Sequence, residues 1–228
     1  MADVQGFADP RFDRLRELLS GTLDSGDDLG ASVSVTLGGE PVVDIWGGHA
    51  DQDKTKAWEK DTITNVWSTT KTMTTLAALV LIDQGGLDTH APVASYWPEF
   101  AANGKDKIEV RHLMGHTSGV SGWAQPVVVE DLYDWDKSTS MLAGQAHGTD
   151  LVLGVPVRFG TGYALPSEAS PFLPDGRICY WGGWGGSAII VDVDRHMTFA
   201  YVMNRMAEGL LGDPRGEGLI RATYDIVG

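Results

Sequence analysis

Two stretches of β-prone sequence lie near opposite ends of the chain, and they constrain the fold more than any other feature. Val33, Val35 and Leu37 alternate with Ser32, Ser34 and Thr36, and Gly38 and Gly39 then separate them from Val42, Val43, Ile45 and Trp46. Period-two alternation broken by two glycines predicts a hairpin with one buried face. Far downstream, the runs Ser187–Val193 and Met197–Met203 flank Asp194, Arg195 and His196, which predicts a second hairpin. Each end also carries a helix signal. Asp9 and Pro10 precede Phe12, Leu15, Leu18 and Leu19, and Asp213 and Pro214 precede Ile220, Thr223, Tyr224 and Val227. An aspartate cap followed by proline at the first helical position is a helix start. The expected fold is therefore α+β, an antiparallel sheet built from both chain ends with flanking helices, in a single domain over residues 1–228.

Between the hairpins, Met73, Leu76, Ala77 and Val80 are spaced as on a helix beginning near Ser68. Leu79, Leu81 and Ile82 extend its apolar character around the circumference, so this helix is expected to be buried on several sides and to end at Gly85 and Gly86. Residues 87–96 read as irregular and 108–114 as a short helix. Asp136 is placed to cap a helix running to about Gln145, and from Gly148 to Tyr180 the Gly- and Pro-rich texture reads as loops between short strands.

A hydrophobic fraction of 43% with 21% charged residues suits a globular core and argues against disorder. The single cysteine, Cys179, excludes an internal disulfide and a cysteine-rich zinc site. No apolar run approaches the roughly 18 residues of a membrane span. The first ten residues lack the basic stretch and apolar segment of a secretory signal, which favours a cytoplasmic location. A net charge of -14 repels phosphate backbones and anionic lipid heads, so neither nucleic acid nor a membrane is an expected partner.

The candidate chemistry centres on Ser68, Thr69, Thr70 and Lys71. On a helix, residues i and i+3 share a face, which brings the lysine amine to the serine hydroxyl. Ser68 alone is too weakly acidic to attack a carbonyl. A lysine desolvated beside a helix N-terminus loses part of its preference for the charged form and can take the serine proton. With Trp67 before it and an apolar helix after it, Lys71 is expected to point inward. The competing reading has Ser68 capping the helix while Lys71 lies along its surface. A second candidate is the segment Trp181, Gly182, Gly183, Trp184, Gly185, Gly186, whose glycines permit close approach of a ligand to backbone. The N–H of Trp184 would join that of Ser68 in an oxyanion hole, and Trp181 and Gly183 would shape the substrate edge. Trp46, Trp67, Trp123, Trp135, Trp181 and Trp184 are candidates for an apolar pocket lining, although core packing is the default for each. The six histidines show no His-Glu-x-x-His spacing, so no metal and no other cofactor is expected; His112 and His116, four apart, read as structural.

These residues resemble a known family, the serine β-lactamase-like hydrolases, and within it the family VIII carboxylesterases related to class C β-lactamases. The resemblance rests on Ser68 to Lys71, on Arg111 to Gly119, and on Trp181-Gly182-Gly183 where relatives carry Lys-Thr-Gly or His-x-Gly. Gly86-Leu87-Asp88 and Tyr96 to Phe100 also fit. It implies a serine hydrolase that cleaves small esters through an acyl-enzyme on Ser68. β-Lactam or amide hydrolysis is the near alternative, and a shortened, non-catalytic scaffold the alternative of another class. An ester is preferred because Trp181 replaces the cation that would bind a substrate carboxylate. Relatives hold a helical region with a Tyr motif whose tyrosine shares base duty with the lysine. No tyrosine between Lys71 and Trp181 stands in such a motif, Tyr133 and Tyr163 being the nearest substitutes. The same shortening would uncover one face of the helix after Ser68 and favour a homodimer.

Overall fold

The computed structural model describes residues 1–120, 128–134, 136–137, 158–209 and 212–228. Its strands are β1 (Val4–Ala8), β2 (Gly30–Leu37), β3 (Glu40–Gly48), β4 (Arg158–Phe159), β5 (Ala164–Leu165), β6 (Ile178–Gly182), β7 (Ala188–Asp192) and β8 (Met197–Met203). Its α-helices are α1 (Asp13–Ser25), α2 (Thr70–Asp83), α3 (Val110–Met114), α4 (Val129–Tyr133) and α5 (Pro214–Val227). The chain gathers into two compact units, one of Met1–Met73 with Ala164–Gly228 and one of Thr74–Tyr163. Among the described residues, no helix is long and apolar enough to cross a membrane.

In the first unit the strand order is β1-β3-β2-β8-β7-β6-β5. Strand β2 pairs antiparallel with β8, Ala31 opposite Met203 and Leu37 opposite Met197, so the sheet is joined from both chain ends as expected. The first hairpin closes through Gly38 and Gly39 at φ +60° and +86°, the left-handed pair that a two-residue loop between twisted strands requires. Alternation decides which side chains are buried: Ala31, Val33 and Val35 of β2, Val43 and Ile45 of β3, and Met197, Phe199, Tyr201 and Met203 of β8. Phe12, Leu15 and Leu19 from the α1 side and Leu219 and Ile220 of α5 join them in the buried core.

Both helix starts follow the sequence. Asp9 accepts from the Arg11 N–H at the short 3₁₀ turn Pro10–Phe12 that precedes α1. Asp213 accepts from the N–H groups of Arg215 and Gly216 at α5. One strand lies where none was expected. β1 pairs with β3 at the sheet edge, its middle residues exposed and Gly6 at φ +86°, so it has no buried face to produce an apolar alternation. β6 begins in the segment read as loops between short strands and pairs with β7, Tyr180 opposite Ile190.

The second unit has a small core of Val93, Phe100, Ile108 and Val110, with Leu87, Trp97, Met114 and Val120 packed against it. A short 3₁₀ turn at Val93–Ser95 lies within the region read as irregular, a second follows at Pro98–Gly104, and α3 is the short helix expected over 108–114. The Thr75 hydroxyl donates to the Gly162 carbonyl at 3.0 Å. The helix expected from Asp136 lies largely outside the described residues, as do Trp123 and Trp135.

Helix α2 departs from expectation. Its buried residues are Thr72 and Thr75, following Thr69, whereas Met73, Leu76, Leu79, Val80 and Leu81 are exposed. An apolar circumference signals what a helix can bury, and here the stripe that is covered is the narrow threonine one.

Candidate active site

The chain enters the site through a constrained turn. The Asn65 side chain accepts from the Trp67 N–H at 2.9 Å, and Trp67 adopts φ +50°, a conformation that bulky residues rarely take. A 3₁₀ turn, Trp67–Thr69, leads into α2. The turn sets Ser68 one helical step before Lys71, and Lys71 Nζ lies 2.8 Å from Ser68 Oγ. The hydrogen bond expected from the spacing is therefore formed.

Lys71 does not point into the interior as expected; it is an exposed residue. Its amine is nevertheless partly enclosed, with Ser68 at hydrogen-bond distance and the Trp181 ring centroid 5.9 Å away. That partial burial lowers the lysine pKa below its ordinary value. The residue as a whole is exposed, while its amine is shielded by Ser68 and the Trp181 ring of β6.

The segment after β6 is built around close backbone approaches. A Cβ at Gly183 would lie 2.2 Å from the Val66 carbonyl oxygen, 2.3 Å from Ser187 Oγ and 2.9 Å from Thr69 Oγ1. Glycine at this position lets the strand end press directly against the turn that carries Ser68. Ser187 fastens the contact, donating to the Val66 carbonyl at 2.9 Å and sharing a 3.0 Å hydrogen bond with Thr69 Oγ1. Ser187→Ala is expected to destabilise the protein by about 1–2 kcal/mol in urea titration, because it leaves the buried Thr69 hydroxyl without its side-chain partner; an unchanged midpoint would remove Ser187 from this account.

The loop itself is a tight turn. The Gly186 N–H donates to the Gly183 carbonyl at 3.1 Å, and Gly185 sits at φ +93°, as the third residue of a type II turn must. The N–H groups of Gly183 and Gly185 donate to the carbonyls of Ser187 and Gly209. Among the described residues, neither the Trp184 N–H nor the Ser68 N–H donates to any protein group. These are the two donors that the sequence assigned to an oxyanion.

The tryptophans divide. Trp67 and Trp184 meet edge to face with centroids 5.4 Å apart, and both remain more than two-fifths exposed. Trp181 is 7% exposed, and Gly182 and Gly183 are buried as well. Trp181 pairs with Ile189 in the sheet, and its ring centroid lies 5.9 Å from the Lys71 amine. Trp46 stacks with Lys60 elsewhere, at 5.8 Å. His112 accepts the Glu109 N–H through Nδ1 and His116 packs on Phe159, so both are structural as read. In the second unit Tyr133 is exposed and Tyr163 half-buried.

Sequence reasoning missed a buried polar cluster beneath the turn. Arg215, with its side chain 8% exposed, pairs with Asp213 at 2.6 Å and Asp28 at 2.9 Å, and the Tyr201 hydroxyl donates to Asp28 at 2.8 Å. Burial pushes the Asp28 carboxyl upward, an effect that Arg215 and the Tyr201 hydroxyl oppose. Burial works against the charge on Arg215, but Asp213, Tyr201 and Asp28 outweigh it and raise its pKa. The four residues come from three distant stretches of chain. Asp213 carried a signal only as a helix cap, and nothing in local spacing joins it to Asp28.

Residues 15–146 match the family model described as Beta-lactamase. The chain is 39% identical over 145 residues to the esterase/beta-lactamase LipL of Mycobacterium tuberculosis, a match covering 64% of this chain and 34% of that protein. It is 34% identical over 99 residues to the esterase EstB of Burkholderia gladioli, covering 42% of this chain and 25% of that one. The matches thus span about a third or less of these relatives' length. A solved family VIII carboxylesterase superposes with a TM-score of 0.90 at 24% identity, over 98% of this chain and 100% of that one, which supports the fold. With its family model matched over more than half its length, the chain belongs to the serine β-lactamase-like family.

Proposed function

We propose that the chain is a serine hydrolase acting on small carboxylic esters by double displacement. The observation that carries this reading is the 2.8 Å contact between Lys71 Nζ and Ser68 Oγ, made by an amine whose pKa burial depresses. In the neutral amine form, Lys71 takes the Ser68 proton as Oγ attacks the ester carbonyl. The N–H groups of Ser68 and Trp184 stabilise the negative charge on the tetrahedral oxygen. The alcohol leaves with a proton returned from Lys71, and water attacks the acyl-enzyme by the same route in reverse. An ester is favoured over a β-lactam because the Trp181 position offers no cation for a substrate carboxylate; relatives carrying either name keep the second substrate class as the comparison.

The test is incubation with p-nitrophenyl acetate, with nitrocefin, and with an alkyl phosphonate, followed by peptide mapping. A phosphonyl mass on the peptide containing Ser68, with acetate turnover exceeding nitrocefin turnover, is the expected result. An adduct with faster nitrocefin turnover would move the assignment to β-lactams. No adduct and no turnover would leave a non-catalytic scaffold.

A further inference from the structure

Below the Gly183–Gly186 turn, a buried cation ends a chain of hydrogen bonds that begins at the Trp184 N–H. Arg215 Nη2 donates to the Gly185 carbonyl at 2.8 Å. The peptide that this carbonyl belongs to carries the Gly186 N–H, which donates to the Gly183 carbonyl at 3.1 Å. The Gly183 carbonyl in turn belongs to the peptide carrying the Trp184 N–H, which makes no bond to a described group. Two peptide units thus connect a guanidinium to a free donor, head to tail. Hydrogen bonds in such a series polarise one another, and a charged donor at one end strengthens the donor at the other.

The guanidinium is held on every side. Nε donates to Asp213, Nη2 to Asp213 as well as Gly185, and Nη1 to Asp28 Oδ1 and to the carbonyls of Asp27 and Arg205. A planar fork with all its donors engaged has one orientation, so the Gly185 carbonyl is met at a set angle. The Ala207 N–H adds a second bond to the same carbonyl at 3.0 Å. The turn also rests directly on the cluster, since a Cβ at Gly186 would fall 1.8 Å from Asp213 Oδ2. None of this pattern is needed for the turn to close, because the Gly186-to-Gly183 bond already does that.

We infer that Arg215 is a positioning residue for acyl transfer: through the Gly185 and Gly183 peptides it orients and polarises the Trp184 N–H that receives the oxyanion. The inference rests on the ester-hydrolase reading above and adds a residue remote from Ser68 to it. Removing one oxyanion donor costs about 10²–10³-fold in rate; weakening one without removing it is expected to cost about tenfold.

The experiment compares wild type with Arg215→Lys, which keeps the charge and loses the fork, and with Asp213→Asn, which keeps the helix cap and volume but loosens the guanidinium. Two readouts are taken on protein that circular dichroism shows to be folded. The first, independent of turnover, is the backbone amide proton shift of Trp184 with the hydrogen-exchange rate of Gly186. The second is the hydrolysis of p-nitrophenyl acetate. The expected result is an upfield Trp184 shift, Gly186 exchange at least tenfold faster, and kcat lowered about tenfold with KM nearly unchanged. An unaltered Trp184 shift and Gly186 exchange in a folded variant overturn the inference, whatever the activity. If wild type neither turns over ester nor takes phosphonate on Ser68, the hydrolase reading fails and the catalytic role of Arg215 fails with it, while the amide readouts still decide whether Arg215 sets the turn. Should Arg215→Lys not fold, Asp213→Asn carries the same comparison.

Discussion

Replacing Lys71 with alanine is expected to lower kcat/KM for p-nitrophenyl acetate by about 10²–10⁴-fold, the usual contribution of a positioned general base. The fold should survive, since Lys71 is exposed and its side chain fills no core volume. The charged amine is the inactive form in this scheme, so wild-type rate should rise with pH and level off above the lysine pKa. Partial burial puts that limb below the value of about 10.4 seen in an unperturbed lysine. In Lys71→Ala the limb should vanish along with the activity. Lys71→Arg separates a base from a mere cation: arginine keeps the charge but does not release its proton in proteins, so it should be as impaired as alanine. Near-wild-type turnover in Lys71→Arg would mean that the residue acts by charge alone, and the scheme would fall.

Gly183→Ala is expected to cost both stability and activity. The new methyl meets a backbone carbonyl at 2.2 Å and a hydroxyl at 2.3 Å, and neither yields freely. Ser187 Oγ is bonded to both Val66 and Thr69, and Val66 leads into the strained Trp67. The strand end and the Ser68 turn must therefore separate. Overpacking of this kind costs about 1–3 kcal/mol, and displacement of reacting groups by about 1 Å costs on the order of 10²-fold in rate. Urea midpoints and kcat/KM measured together check both effects. Gly21→Ala is the control, since its Cβ meets nothing within 4 Å inside helix α1 and should stabilise by about 0.5–1 kcal/mol. If Gly183→Ala behaves like Gly21→Ala, the close approach has no role in aligning the site.

Much of the fold was legible because its signals are local. Gly38-Gly39 between alternating valines specified a hairpin and its loop, and Asp-Pro pairs specified both terminal helix starts. The Ser68–Lys71 contact was legible for the same reason, since three residues of helix suffice to make it. Strand β1 was not, because an exposed edge strand buries no face and so imposes no pattern. The exposure of α2 was not, because hydrophobicity states what a helix can bury and leaves open whether anything covers it.

Local spacing alone determined the Ser68–Lys71 contact, the hairpins and the helix caps, each a matter of residues within a few positions of one another. Tertiary structure alone decided which backbone N–H groups make no bond among the described residues, how closely Gly183 approaches Val66, and how Asp28, Tyr201, Asp213 and Arg215 meet under the turn. Those contacts join residues up to 187 positions apart, as between Arg215 and Asp28. No periodicity reports them, because side chains that meet only after the sheet is assembled leave no mark on their neighbours in sequence.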